Sequence, residues 1–334
     1  MSGKRAFEEQ IAALEALRQA PAETRVVPLR KALTHRNNFI AAKAADLVRE
    51  FGLTQLAPDL LKAFDHFLEN PEKSDPQCWA KNAISRALAA FEHQDADVFL
   101  RGMRHIQMEP VWGGQSDTAG TLRATCALAL VQCRSLGEME VLRHLVDLAG
   151  DSDKTVRAEV MRAVEQMNSS TASLLLRLKA LVGDAEPEVL GACFAGILQI
   201  DGGKAIPWVA RFLGSADDKA AEAALAIAGT HTPEAFIALQ QRLDRSHDLR
   251  SLDLKSNDPW FRSVLLSAVA LTRQDAAHEF LMSLVQTESR DAEPAMEALL
   301  RTRPSAEVIE RIEKLVSGNP RLVRTFATLR KQQS

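Results

Sequence analysis

The chain has 334 residues, 46% of them apolar and 5% aromatic with no tyrosine, and a formal net charge of -3. A balance that close to neutral excludes a polyanion partner held by bulk charge. Richness in alanine and leucine, without runs of alternating β-branched residues, excludes a sheet protein and points to closely packed helices. The length suits two ordinary globular domains or one long array whose core grows by addition.

The amino terminus has no apolar signal core; Phe7, Ile11, Leu14 and Leu17 instead predict an amphipathic capping helix over Lys4–Gln19. No apolar run reaches the roughly 20 residues that span a bilayer, so the expectation is a cytoplasmic protein with no membrane contact. Beyond the cap, one helical pattern recurs. Its clearest copy is Asp151–Met167, where Val156, Val160, Ala163 and Val164 share a face and Asp151 can serve as N-cap. Aligned on Val156, the equivalent anchors are Ile40, Ala80, Leu122, Val189, Ala220, Phe261, Asp291 and Val323, which lie 30 to 42 residues apart. Such spacing is the mark of stacked repeats. Four residues after each anchor come Ala44, Ile84, Cys126, Val160, Cys193, Ala224, Leu265, Ala295 and Ala327. Small residues predominate three positions further on, where helices must approach closely, and the pattern fails at Arg330.

An aspartate stands five residues before the anchor at Asp75, Asp117, Asp151 and Asp184, and a basic residue follows it at Lys81, Arg123, Arg157, Arg262 and Arg324. A second amphipathic helix precedes each of these, as in Leu136–Ala149, Ser170–Val182, Ala205–Leu213, Pro233–Leu243, Asp275–Val285 and Ser305–Val316. Pro320–Lys331, with Asn319 as N-cap, predicts a closing helix.

The pattern D-x-x-x-x-V-R-x-x-x-x-x-A, best kept over Asp117–Ile200, resembles HEAT repeats of the bacterial type. The resemblance implies an all-α superhelix of about nine helical hairpins, with first helices on the convex side and second helices lining a concave face. It also implies that the arginines and aspartates form ladders between repeats, broken at Ala220 and Asp291, where the basic residue is missing. One continuous domain is expected: a cap over residues 1–20, repeats over 21–318 and a second cap over 319–334.

Three separations are longer than the rest. Glu69–Pro76 reads as a solvated connection. Met108–Gly120 contains Pro110, expected to end a helix, and Gly113-Gly114, able to turn sharply. Trp112 in this segment either folds back over the repeat core or anchors a partner. Arg245–Trp260 mixes acidic and basic residues without a calcium-loop spacing, and reads as a solvated or partner-binding loop. The four cysteines form no CxxC pair and read as reduced core thiols. Only His278-Glu279 makes an HE pair, too little for a HEAT-like di-iron site. No catalytic group, cofactor or metal is expected. The favoured function is a non-catalytic protein–protein interaction scaffold. Its candidate contacts are Trp112, Gly113, Gly114, Asp117, Arg123, Arg157, Trp260 and Arg262. The alternatives are a HEAT-like enzyme, similar to DNA glycosylases or bilin lyases, and a nucleic-acid binder.

Overall fold

The computed structural model describes residues 2–245, 258–287, 290–302 and 304–331. The described chain is mostly helical, with one two-stranded sheet. It divides into two compact units, Met1–Met167 and Asn168–Ser334. Most of the expected Arg245–Trp260 loop, residues 246–257, lies outside the described residues.

The first unit contains α1 (Ser2–Ala16), α2 (Ala22–Leu33), α3 (Asn38–Glu50), α4 (Ala57–Leu68), the single turn α5 (Pro71–Ser74), α6 (Trp79–Ala90) and α7 (Ala96–Met103). The strands β1 (Met108–Val111) and β2 (Gly114–Asp117) follow, then α8 (Gly120–Leu130), α9 (Glu138–Leu148) and α10 (Lys154–Gln166). Helices α3, α6, α8 and α10 pack in series, and α2, α4, α7 and α9 each cover one of them. The periodic residues supply that core: Ile40, Ala44 and Leu47, Ala80, Ile84 and Ala87, Leu122, Cys126 and Ala129, and Val156, Val160 and Ala163 are all buried. Small side chains set the helix spacing. A Cβ at Gly102 of α7 would overlap Cys126 Sγ of α8, and one at Gly120 would overlap Asp153 Oδ2.

The second unit contains α11 (Ser170–Val182), α12 (Pro187–Asp201), α13 (Ile206–Ala210), α14 (Asp218–Ala228), α15 (Pro233–Arg245), α16 (Pro259–Leu271), α17 (Asp275–Gln286), α18 (Ala292–Arg301), α19 (Ala306–Val316) and α20 (Pro320–Lys331). Here α12, α14, α16, α18 and α20 pack in series, each paired with the helix before it. The helix expected over Ala205–Leu213 is the short α13 between two 3-10 turns, Gly202–Ala205 and Arg211–Gly214. At the last helix the anchor shifts by one residue: Val323 is 39% exposed and Leu322 is buried.

Three expectations change. Asp151 does not cap α10; Asp153 does, accepting from Thr155 N at 2.8 Å. Asp75, placed in a solvated connection, is fully buried. The stretch Pro187–Gly214 does qualify in length and hydropathy as a membrane span, with a mean hydropathy of 1.3 over 18 residues. It is broken, however, at Gly202, where φ is +69°, and 56% of that window is buried in the protein. Asn319 caps α20 as expected, accepting from Arg321 N at 3.0 Å and Leu322 N at 3.3 Å.

Candidate partner-binding site at the Trp112 hairpin

The segment read as a loop after a helix ending at Pro110 is a β-hairpin. Helix α7 has already stopped at Met103, and β1 pairs antiparallel with β2 in the register Met108 to Asp117, Glu109 to Ser116, Pro110 to Gln115 and Val111 to Gly114. Pro110 has no N–H to give, which a two-stranded sheet tolerates because each strand has an outer edge. Trp112 and Gly113 form the two-residue turn, and Gly113 takes φ +88°, a conformation open to glycine at no steric cost. Gly114 opens β2 with free space around its Cα.

Trp112 stands at the tip with 103% relative exposure, so it does not fold back over the core. Met108 (40%), Val111 (48%) and Ile106 (66%) are also exposed on the same short stretch. An indole left entirely in water costs solvation free energy without returning any packing to the fold.

The base of the hairpin is held as firmly as its tip is free. Gln107 is buried, and its side-chain amide donates to Asp75 O at 2.9 Å and to Glu109 Oε1 at 2.6 Å. Its Oε1 accepts from Cys78 Sγ at 3.2 Å. Glu109 Oε1 also accepts from Gln77 N at 2.6 Å and from Thr118 Oγ1 at 2.8 Å. Gln77 and Cys78 both sit in the left-handed region, at φ +59° and +55°. That strain is offset by the Glu109 carboxylate and by Asp75, which accepts from Ala80 N, Lys81 N and the buried Lys81 ammonium. Burial pushes the Cys78 thiol up to about 11, and burial likewise holds His105 below its ordinary value. For Glu109, burial acts upward but is outweighed by the three donors, leaving the carboxyl below the usual range. Neither Gln107 nor Glu109 stands out in the sequence.

Asp117 closes the hairpin. Its Oδ1 accepts from Gln107 N and Ala119 N, each at 3.0 Å, and its Oδ2 from Arg123 Nη1 at 2.7 Å. Burial works against ionisation there, but the two backbone donors and Arg123 hold the carboxyl low. Arg123 is itself buried: Nε and Nη2 fork onto Asp151 at 2.8 and 2.9 Å, and Nη1 also donates to His105 O at 3.0 Å. Arg262 repeats the arrangement in the second unit, forking onto Asp291 with two bonds of 2.6 Å and donating to Leu243 O at 3.3 Å. Asp291, aligned in the sequence as an anchor at which the ladder is expected to break, instead accepts the Arg262 fork, because its carboxylate rather than an apolar side chain occupies that position. Arg157 donates to Asp151 O at 2.8 Å and Ser152 O at 3.2 Å.

Of the eight candidate contacts, then, Trp112, Gly113 and Gly114 form an exposed tip. Asp117, Arg123 and Arg262 are spent on internal ion pairs, which leaves the buried arginines no open fork for a phosphate. Trp260, at the start of α16 in the second unit, is 48% exposed. Trp112 does not converge with Asp117 and Arg123 in a closed pocket, the arrangement a glycosylase-like centre would require. Among the described residues no group of three His, Cys, Asp or Glu side chains could hold a metal ion. The sequence matches no protein-family model and no curated protein.

Proposed function

We propose that the protein is a non-catalytic interaction scaffold of HEAT-like helical hairpins, and that the Trp112 hairpin anchors a protein partner. One observation carries the reading: a fully exposed tryptophan at the tip of a hairpin whose base is locked by a buried polar network. A rigid aromatic presented in this way loses little conformational entropy on binding and brings a large apolar area to the interface. The helix series within each unit and the Arg123–Asp151 and Arg262–Asp291 ladder steps support the HEAT-like description and give the hairpin a firm mounting.

The test is affinity capture from native lysate, with and without nuclease, comparing wild type with Trp112→Ala and Trp112→Phe. The expected result is a protein partner that survives nuclease. Its recovery falls at least about tenfold with Trp112→Ala, the effect of losing an interface hot spot, and partly recovers with Trp112→Phe. Undiminished capture by Trp112→Ala removes the hairpin from the reading. Capture that disappears with nuclease replaces the scaffold with a nucleic-acid binder.

A further inference from the structure

The second unit carries an open cavity of about 550 Å³ along α12, α14, α16 and α18, lined by Asp218, Glu222, Leu225, Trp260 and Val264 among others. Its lining includes two exposed apolar side chains, Trp260 at 48% and Leu225 at 42%. Its charge is negative. Glu222 lies close against α12, where a Cβ on Gly191 would overlap its Oε2. Burial and the neighbouring carboxylates Glu188 and Asp218 push the Glu222 carboxyl above the usual range. The cavity also holds Glu297 and Arg301, which pair with each other and so leave the balance negative among the described residues.

We propose that this cavity docks a basic segment of a protein partner, one arginine or lysine entering with its cation between the Trp260 ring and the Glu222 and Asp218 carboxylates. Each part of such a side chain meets its complement. The cation is attracted by the indole face, and the aliphatic stem packs on Leu225 and Val264. Its charge offsets the mutual repulsion of the Glu222 and Asp218 carboxylates, which no apolar or acidic side chain would do. The inference rests on the reading of the protein as a binder of partner chains, but uses no residue of the Trp112 hairpin.

The test uses the full chain and fluorescence anisotropy with a fluorescein-labelled tetra-arginine peptide. The probe for comparison is tetra-citrulline, similar in shape but uncharged. Tetra-arginine is expected to bind at least about tenfold more tightly than tetra-citrulline, with Glu222→Gln weakening it about tenfold and Trp260→Ala about fivefold. Asp275→Asn, an equal charge change on exposed Asp275 of α17, retains the wild-type affinity, and circular dichroism checks the fold of each variant. Equal binding of the two peptides overturns the proposal, as does unchanged affinity in Glu222→Gln and Trp260→Ala, or an equal loss in Asp275→Asn. Trp112→Ala is expected to keep tetra-arginine binding. Failure of the hairpin therefore shows as a partner indifferent to Trp112, and failure of the cavity as a peptide indifferent to Glu222.

Discussion

Arg123 makes four hydrogen bonds beside the hairpin, three of them to carboxylates. It joins Asp117, the last residue of β2, to Asp151, before α10, and is 3% exposed. Removing one member of a buried ion pair leaves the others charged and unsolvated, so Arg123→Ala is expected to cost about 3–5 kcal/mol, read as a shift of the urea midpoint. Arg123→Lys keeps the charge but cannot fork onto both Asp151 oxygens, and falls between wild type and alanine. The same network gives a pH dependence. Asp117 and Glu109 have folded values below their usual ones, so their stabilisation is present above the usual carboxylate range and is lost as pH falls through the lowered values. The urea midpoint should therefore drop on acidification below about pH 4, and drop less steeply in Asp117→Asn. Trp112→Ala, by contrast, touches nothing in the fold and is expected to move the midpoint by less than about 0.5 kcal/mol.

At the scale of elements, the start of α10 and the hairpin divide their work among adjacent residues. Asp153 caps the helix and Asp151 receives the Arg123 fork, so the two aspartates should differ sharply on truncation. Asp153→Ala is expected to cost about 1 kcal/mol, the usual worth of a cap, and Asp151→Ala about 3 kcal/mol or more, because it strands a buried guanidinium. Gly120 sits against Asp153, so Gly120→Ala displaces the cap, and a double-mutant cycle of the two should be non-additive. In the hairpin, Gly113→Ala forces a side chain into φ +88° and should cost about 1 kcal/mol. Hydrogen exchange at the β1 and β2 amides reads that loss locally, and equal protection in wild type and variant would show that the turn contributes nothing.

Across the whole molecule the four cysteines report on integrity. All are free and buried, and burial pushes Cys126 and Cys193 up to about 12 and Cys78 up to about 11. A thiol reacts as its thiolate, so the native protein should be nearly silent to a disulfide reagent at pH 8, and all four groups should titrate in denaturant. Rapid reaction of one thiol in the native state would mark a part of the core that opens on its own, since Cys78 and Cys126 lie in the first unit and Cys193 in the second. The two units are built alike, each from a series of helices covered by partner helices. Their exposed features differ. The first presents an aromatic tip on a hairpin, and the second an acidic cavity lined in part by Trp260.

The sequence by itself determined the helices, their buried faces and the residue types that meet along them. Helical periodicity is local: Val156, Val160 and Ala163 share a face whatever surrounds them. The recurrence of aspartate and arginine at set distances from the anchors marked the Arg123–Asp151 pair for the same reason, but not the Arg262–Asp291 pair, whose aspartate stands at an anchor position. Tertiary structure decided which aspartate caps and which one pairs, because Asp151 answers to a guanidinium 28 residues away. It also decided that Met108–Asp117 is a hairpin, since its strands are pinned by Asp75, Gln77 and Cys78 from a distant turn rather than by their own β propensity. Trp112 could pack or project on composition alone. Its exposure goes with that remote anchoring, which fixes the base of the hairpin and leaves Trp112 at the tip.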